Sequence, residues 1–120
     1  MKVSIISKSS VKDETLDVLA NELPVILSEM LEVPGGNLAI LKPGQVSLEF
    51  SQASARDVGS DIRVNVFARK NDPRSSAENK LTKAILEKLV TSIAKTGEEY
   101  SVSIRLYLTQ IGAAEYSPSH

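Results

Sequence analysis

Residues 62–89 read IRVNVFARKNDPRSSAENKLTKAILEKL, and this stretch decides the fold because its hydrophobic periodicity changes partway along. Apolar Ile62, Val64 and Val66 alternate with the residues between them, which is the period-two pattern of a half-buried strand. Residues 71–74, Asn-Asp-Pro-Arg, have the composition of a turn. We therefore predict a strand followed by a tight turn.

The second part of the stretch has the pattern of an amphipathic helix. Ser75 and Glu78 have the spacing of a capping box, in which each side chain pairs with the other residue's backbone amide at a helix start. Apolar residues recur at helical spacing from Ala77 to Ala94, and charged side chains occupy the opposite face. Gly97 is typical of the position just after a helix. The sequence thus predicts one helix with a single apolar stripe.

The first half of the chain has the same layout of strand and helix. Residues 2–7 (KVSIIS) form a short run rich in β-branched side chains, which predicts a strand. Apolar residues then recur at helical spacing, so we expect a helix over residues 14–32 with Asp13 as its N-cap. Pro24 is expected to kink or split this helix, because proline removes a backbone donor and clashes with the preceding turn.

Two further strands complete the predicted order. Val46, Leu48 and Phe50 alternate with polar residues, and residues 100–108 alternate in the same way. The order β-α-β-β-α-β, in a single domain over residues 1–120, predicts an α+β fold with both helices on one face of a mixed four-stranded sheet. The residues expected on the other face are mixed in character: Ser4, Ser47, Arg63, Asn65, Ser103 and Arg105.

The composition excludes several classes of function. The chain has no Cys, and its single His is residue 120, so a disulfide scaffold, thiol catalysis, a His-based triad and a Cys or His metal site are excluded. Serine-rich stretches at residues 7–10 and 51–60 therefore have no His to activate them. A net charge of −1 gives no electrostatic footprint for nucleic acid or acidic membranes. The absence of Cys fits a reducing, cytoplasmic setting, and no apolar run has membrane-spanning length. We expect no metal or cofactor, because no cluster of Asp, Glu and His has metal-ligand spacing and no Gly-rich phosphate loop is present.

Residues 62–89 resemble the second half of tautomerase-superfamily proteins, which share the fold of macrophage migration inhibitory factor: a strand ending in Arg69, a polar turn and a helix rich in Lys and Glu. In length and spacing the chain is most similar to longer members such as 5-carboxymethyl-2-hydroxymuconate isomerase. The resemblance covers nearly the whole chain in layout, but its specific part is residues 63–89. It implies a β-α-β-β-α-β subunit and a homotrimer whose sheets enclose a central barrel.

The start of the chain departs from the family pattern. Family enzymes begin Met-Pro, and removal of the Met leaves a secondary amine that acts as base or nucleophile. Here residue 2 is Lys, whose bulk should block removal of Met1, so the terminus would be a primary amine. The resemblance therefore points to Lys2 or the Met1 amine as the catalytic group. The alternative for Lys2 is an ordinary lysine at a strand end in solvent.

Arginines near the predicted turn are candidates for binding a substrate carboxylate, as the resemblance implies for Arg69 and Arg74. An arginine fork and a helix N-terminus both suit an anion. Lys42 would add a cationic contact. The alternative is that the arginines are solvated turn residues and that Lys42 belongs to a plain Lys-Pro-Gly turn. Tyr100 and Tyr107 are either donors to a substrate oxygen or rings packed at a sheet edge.

Three functions remain open from the sequence. The chain is an isomerase acting on a small carboxylated enol or keto acid, a non-catalytic oligomeric member of the same fold, or a monomeric ferredoxin-like binding module with the same element order. A homotrimer is favoured because residues 102–108 contain neither Pro nor Lys to protect a strand edge. In a trimer, Arg63 and Arg105 would line a central channel and pair with Glu49.

Overall fold

The computed structural model of the chain describes residues 1–31, 46–69, 78–110, 112, 114 and 116–118. Within these residues the strands and helices follow the order that the sequence predicts. They are β1 (Lys2–Ser7), α1 (Asp13–Leu31), β2 (Ser47–Gln52), β3 (Ile62–Arg69), α2 (Glu78–Ala94) and β4 (Val102–Thr109). The turn at residues 71–74, the cap residue Ser75 and the side chain of Glu78 lie outside the described part of the chain.

The four strands form one mixed sheet in the order β2-β1-β3-β4. Strand β1 is parallel to β2 and antiparallel to β3, and β3 is parallel to β4. The first and last strands of this order, β2 and β4, are therefore the edges of the sheet. The predicted fold class is confirmed, including the position of the last strand at an edge.

One face of the sheet forms the core together with both helices. Val3 and Ile5 of β1 pair with Val66 and Val64 of β3, and all four side chains are buried. The helices contribute the apolar stripes that the spacing predicts: Leu19, Leu23, Ile26, Leu27, Leu31, Ile85, Leu89 and Ile93. Each fully buried aliphatic side chain stabilises the fold by about 1.5–3 kcal/mol, so this shared core holds both helices on the same face.

Helix α1 begins one residue earlier than predicted, and Pro24 does not split it. The carbonyl of Lys12 accepts the backbone amides of Thr15 (3.0 Å) and Leu16 (3.2 Å), so Lys12 caps the helix and Asp13 lies in its first turn. Proline inside a helix costs about 3 kcal/mol. Leu23 and the neighbouring buried positions of α1 outweigh this cost by packing on the sheet, so the helix continues through the proline.

The register of β3 and β4 is set by a reciprocal pair just before both strands. Asp61 accepts the backbone amide of Ser101 at 3.0 Å, and the Ser101 hydroxyl accepts the amide of Asp61 at 2.9 Å. Nearby, the Tyr100 hydroxyl accepts the backbone amide of Lys12 at 3.1 Å. Tyr100 thus joins the start of β4 to the start of α1. In the described residues, no helix is long and apolar enough to cross a membrane.

Candidate functional site

The strand pairing brings the start of β1 beside the ends of β3 and β4. Lys2 is paired with Ser47 on one side and with Phe67 on the other, and Phe67 is paired with Tyr107. Because paired residues point to the same side of a sheet, these four side chains form one row on the face without helices, which we call the open face. The row lies at the end of the sheet where the chain starts.

Arg69 lies on the open face near this row. It follows Phe67 by two residues at the end of β3, and alternate residues of a strand share a face about 7 Å apart. The antiparallel pairing of β1 with β3 therefore places Arg69 beyond Lys2 at the same end of the sheet. Met1, Lys2 and Arg69 therefore lie at the same end of the sheet, whereas Arg74 and Lys42 lie outside the described residues.

The aromatic rings of Phe67 and Tyr107 form a stacked pair on the open face. Their centroids are 4.9 Å apart and their planes differ by 11°. Tyr107 is 38% exposed, so the pair presents a flat apolar surface instead of filling the core. The sequence carried a signal for this pair, because both rings occupy positions on the polar side of the strand alternation. Their contact depends on the β3–β4 register, which the sequence does not reveal.

Lys2 forms an ion pair with Glu49 of β2. Its Nζ lies 3.2 Å from a carboxylate oxygen of Glu49, and the two side chains are 58% and 64% exposed. Such exposed pairs are worth only about 0–1 kcal/mol, because solvent screens the attraction. Lys2 is therefore a solvated cation that exchanges partners at little cost. An anionic ligand next to the rings would compete with Glu49 for it.

Met1 is held at this end by the β1–β2 ladder. Its carbonyl accepts the backbone amide of Ser47 at 2.9 Å, and its half-buried side chain packs against the core. The amino end of the chain is therefore fixed next to Lys2 and does not extend freely into solvent. We call the cluster of Met1, Lys2, Phe67, Arg69 and Tyr107 the β1-start site.

Arg63 has a different environment, at the far end of the open face. Its Nη2 donates to Asp57 at 2.5 Å, and Asp57 also accepts the backbone amide of Gly59 at 2.7 Å. The hydrogen bond from the Gly59 amide has the largest effect and that from the Arg63 guanidinium the next largest, and together they hold the pKa of Asp57 below its usual value. Within one subunit, Arg63 therefore pairs with Asp57 and Glu49 pairs with Lys2, whereas the sequence suggested that Arg63 and Glu49 pair in a trimer. Arg105 is exposed on the edge strand β4, in the same row of the sheet as Glu49.

The chemistry of the β1-start site suits a small organic anion. Two cationic side chains lie beside a flat aromatic surface, which favours a carboxylate attached to a planar or conjugated body. Tyr107 belongs to this site, whereas Tyr100 precedes the opposite end of β4 and bonds to Lys12. In the part of the chain that the structure describes, no group of three or more acidic or His side chains is arranged to hold a metal ion.

Several solved structures share the fold of this chain. A fused 4-OT protein, a symmetric trimer, has a TM-score of 0.66, with 14% identity over 95% of this chain and 92% of its own. N1, a member of the cis-3-chloroacrylic acid dehalogenase family, has a TM-score of 0.65, with 12% identity over 97% of this chain and 80% of its own. Malonate semialdehyde decarboxylase has a TM-score of 0.62, with 10% identity over 100% of this chain and 93% of its own.

The chain therefore has the fold of the tautomerase superfamily along nearly its whole length. At these identities the similarity establishes the fold and leaves the activity to be argued from the site. No family model matches the sequence, and no curated protein matches it.

Proposed function

We infer that this protein binds a small carboxylated enol or keto acid at the β1-start site and catalyses its isomerisation slowly. The observation that supports this proposal is the position of Lys2 and Arg69 at the same end of the open face, near the stacked rings of Phe67 and Tyr107. A carboxylate between the two cations would place the conjugated part of the ligand over the rings. The names of two similar structures, cis-3-chloroacrylic acid dehalogenase and malonate semialdehyde decarboxylase, also refer to small carboxylic acids.

The residues of the site have distinct proposed roles. Arg69 and Lys2 hold the carboxylate, because a solvated lysine paired with Glu49 serves better as a cationic contact than as a base. The Met1 amine takes the enol hydroxyl proton and returns a proton to the neighbouring carbon, which converts enol to ketone with no net change in the amine. Terminal amines as a class hold their proton less tightly than lysine side chains. We expect slow turnover because residue 2 is Lys, where the tautomerase enzymes that the sequence resembles have proline.

The experiment follows the ketonisation of phenylenolpyruvate by ultraviolet absorbance. We expect weak, saturable turnover above the buffer rate. Arg69→Gln should raise KM about tenfold, the loss expected for one charge-assisted hydrogen bond. Lys80→Gln, which removes an exposed cation on α2, is the matched control and should change nothing. An Arg69→Gln variant with unchanged KM would remove Arg69 from the site.

A chain extended by Gly-Ser before Met1 tests the base. The extension moves the amine while leaving the Met1 carbonyl free to accept the Ser47 amide. We expect turnover to fall to the buffer rate while phenylpyruvate binding, followed by NMR, persists. Mass spectrometry of the unextended protein establishes whether Met1 is retained. Full turnover by the extended chain would exclude the Met1 amine.

The Lys2–Glu49 ion pair favours a second candidate, a non-catalytic binding protein of the same fold. In this case Lys2 only binds the ligand, and an anionic ligand displaces Glu49 from its ion pair with Lys2. Binding of phenylpyruvate with no turnover, weakened in Lys2→Gln, would support this candidate over the isomerase. Absence of binding would oppose both.

We also propose that three copies of the chain assemble as a ring. In the described part of the chain, neither sheet edge, β2 nor β4, has a further strand beside it, and Glu49 on one edge shares a row with Arg105 on the other. Head-to-tail contact of β4 with the β2 of the next copy would bring these opposite charges together, and a closed ring leaves no free edge. The similar fused 4-OT structure is a symmetric trimer.

Sedimentation at micromolar concentration tests this assembly. We expect a mass near three chains, and dissociation at higher concentration for Arg105→Glu than for the unmodified protein. Arg56→Glu makes the same charge change on the exposed loop after β2 and serves as the control. A mass of one chain at every concentration would favour the monomeric ferredoxin-like binding module instead.

A further inference from the structure

The ion pair between Lys2 and Glu49 crosses the β1–β2 ladder diagonally. Lys2 is paired with Ser47, and Glu49 follows Ser47 by two residues on the same face of β2. Diagonal neighbours of this kind lie about 7–8 Å apart, which two long side chains can bridge. The 3.2 Å contact between the Lys2 Nζ and the Glu49 carboxylate therefore requires both side chains to lean toward each other along the sheet.

Arg105 is an exposed cation at the other edge of the sheet, in the row that contains Glu49. The pairings of β1, β2, β3 and β4 join Glu49, Ser4, Asn65 and Arg105 into this row. Glu49 and Arg105 are separated by three strand spacings, or roughly 14 Å, which is too far for an ion pair within one subunit. In the described part of the chain, Arg105 forms no ion pair.

The strand directions decide how a second copy of the chain would meet these edges. Strand β2 runs parallel to β1, β4 runs parallel to β3, and β1 is antiparallel to β3, so the two edges of the sheet run in opposite directions. In a ring whose axis follows the strands, β4 of one copy therefore meets β2 of the next as an antiparallel neighbour. Residues directly opposite each other in such a pair have Cβ atoms about 4.5–5.5 Å apart.

Arg105 and Lys2 compete for Glu49 in such a ring. Arg105 of the neighbouring copy would lie directly opposite Glu49, whereas Lys2 reaches it only across the diagonal. A guanidinium also binds a carboxylate through two parallel hydrogen bonds, while an ammonium acts as a point charge. Since the Lys2–Glu49 pair is more than half exposed, breaking it costs little. Glu49 therefore moves from Lys2 to Arg105 when the ring closes.

We propose that Glu49 exchanges between Lys2 of its own subunit and Arg105 of the next, and that this exchange couples ring assembly to carboxylate binding. In the separate subunit, Glu49 occupies Lys2 and competes with the ligand. In the ring, Arg105 holds Glu49, and Lys2 is available to the ligand carboxylate. Coupling between two binding events is reciprocal, so a carboxylate on Lys2 releases Glu49 and favours the ring. The proposal rests on the proposed function and assembly, whose regulation it describes.

Sedimentation of variants without any ligand tests the exchange. Lys2→Gln releases Glu49, so each of the three interfaces should strengthen about two- to fivefold, the usual worth of an exposed ion pair. The protein concentration at which half of the ring dissociates should therefore fall roughly three- to tenfold. Lys80→Gln, which removes an exposed lysine of α2, is the matched control and should leave this concentration unchanged.

A double variant shows whether the effect of Lys2→Gln passes through Glu49. Glu49→Gln should weaken the ring, because Arg105 loses its carboxylate. Adding Lys2→Gln to Glu49→Gln should then cause no further change, since no carboxylate is left to release. Both residues are exposed, so neither substitution removes part of the core.

NMR titration with phenylpyruvate tests the coupling to the ligand. The unmodified protein should bind phenylpyruvate about two- to fivefold more tightly above its dissociation concentration than below it, the same factor as in the sedimentation experiment. Glu49→Gln should bind with the higher affinity at every protein concentration, because nothing competes for Lys2.

Four outcomes separate this proposal from the proposed function. A mass of one chain at every concentration would overturn the exchange, and so would a Lys2→Gln ring no stronger than the unmodified one. An equal effect of Lys2→Gln with and without Glu49→Gln would also overturn it. Absence of phenylpyruvate binding, together with a stronger Lys2→Gln ring, would refute the proposed carboxylate site and still support the exchange of Glu49.

Discussion

Thr15→Val should stabilise the protein, because Thr15 carries a buried hydroxyl without a partner. The residue is fully buried in the first turn of α1, on the face that packs on the sheet. Its Oγ1 has no hydrogen-bond partner in the described part of the chain. Valine has the same branched shape and a similar helix propensity, so the substitution removes the hydroxyl and leaves the packing intact.

The size of the effect follows from the desolvation of the hydroxyl. An unpaired buried polar group costs about 1–3 kcal/mol, and the added methyl group gains further apolar burial. We therefore expect the free energy of unfolding of Thr15→Val to rise by about 1–2 kcal/mol. For a chain of this length the melting temperature should rise by roughly 4–8 °C.

Urea denaturation at fixed protein concentration measures the change, since assembly would make stability depend on concentration. Thr15→Ser is the matched control. It keeps the hydroxyl and removes a buried methyl group, so it should lose about 1 kcal/mol. If Thr15→Val is less stable than the unmodified protein at an unchanged m-value, the hydroxyl is hydrogen-bonded to a buried water, and the reasoning is wrong.

Three further stability measurements follow from the core and the ion pairs. Leu23→Ala, at a fully buried position of α1, should lower the free energy of unfolding by about 2.5–5 kcal/mol in urea; a loss below 1 kcal/mol would show that the core collapses around the deletion. The pKa of Asp57 is lowered in the folded state, so the stability that the ionised carboxylate contributes is lost as the pH falls below the usual pKa of an aspartate. Asp57→Asn should therefore show a flatter decline in stability below about pH 4. A decline as steep as that of the unmodified protein would contradict this. The pKa of Lys12 is raised, mainly by its hydrogen bond to Glu98, so the stability that this pair contributes is lost as the pH rises past the usual lysine range. In Glu98→Gln, the free energy of unfolding should therefore fall less steeply at alkaline pH. An unchanged alkaline decline would show that the pair is not formed in solution.

The sequence by itself determined the elements and the two faces of the sheet. Alternation along a strand has a period of two, so Val64 and Asn65 fall on opposite faces whatever the neighbouring strands are. Helical spacing likewise fixed the buried stripe of α1 before any partner was known. The mixed face expected from Ser4, Arg63 and Arg105 is therefore the open face of the structure. Pro24 does not split α1, because a local rule about proline does not include the core packing that keeps α1 continuous.

The tertiary structure alone decided which residues meet. Strand order and direction depend on packing between distant segments, and a period of two is the same for parallel and antiparallel neighbours. The antiparallel pairing of β1 with β3 placed Lys2 beside Phe67, and the β3–β4 register stacked Phe67 on Tyr107. The parallel pairing of β1 with β2 brought Glu49 within reach of Lys2. The proposed site and its ion pair therefore consist of residues that a local pattern identifies one at a time and that only long-range pairing joins, because side chains far apart in the chain become neighbours when the backbone ladder closes.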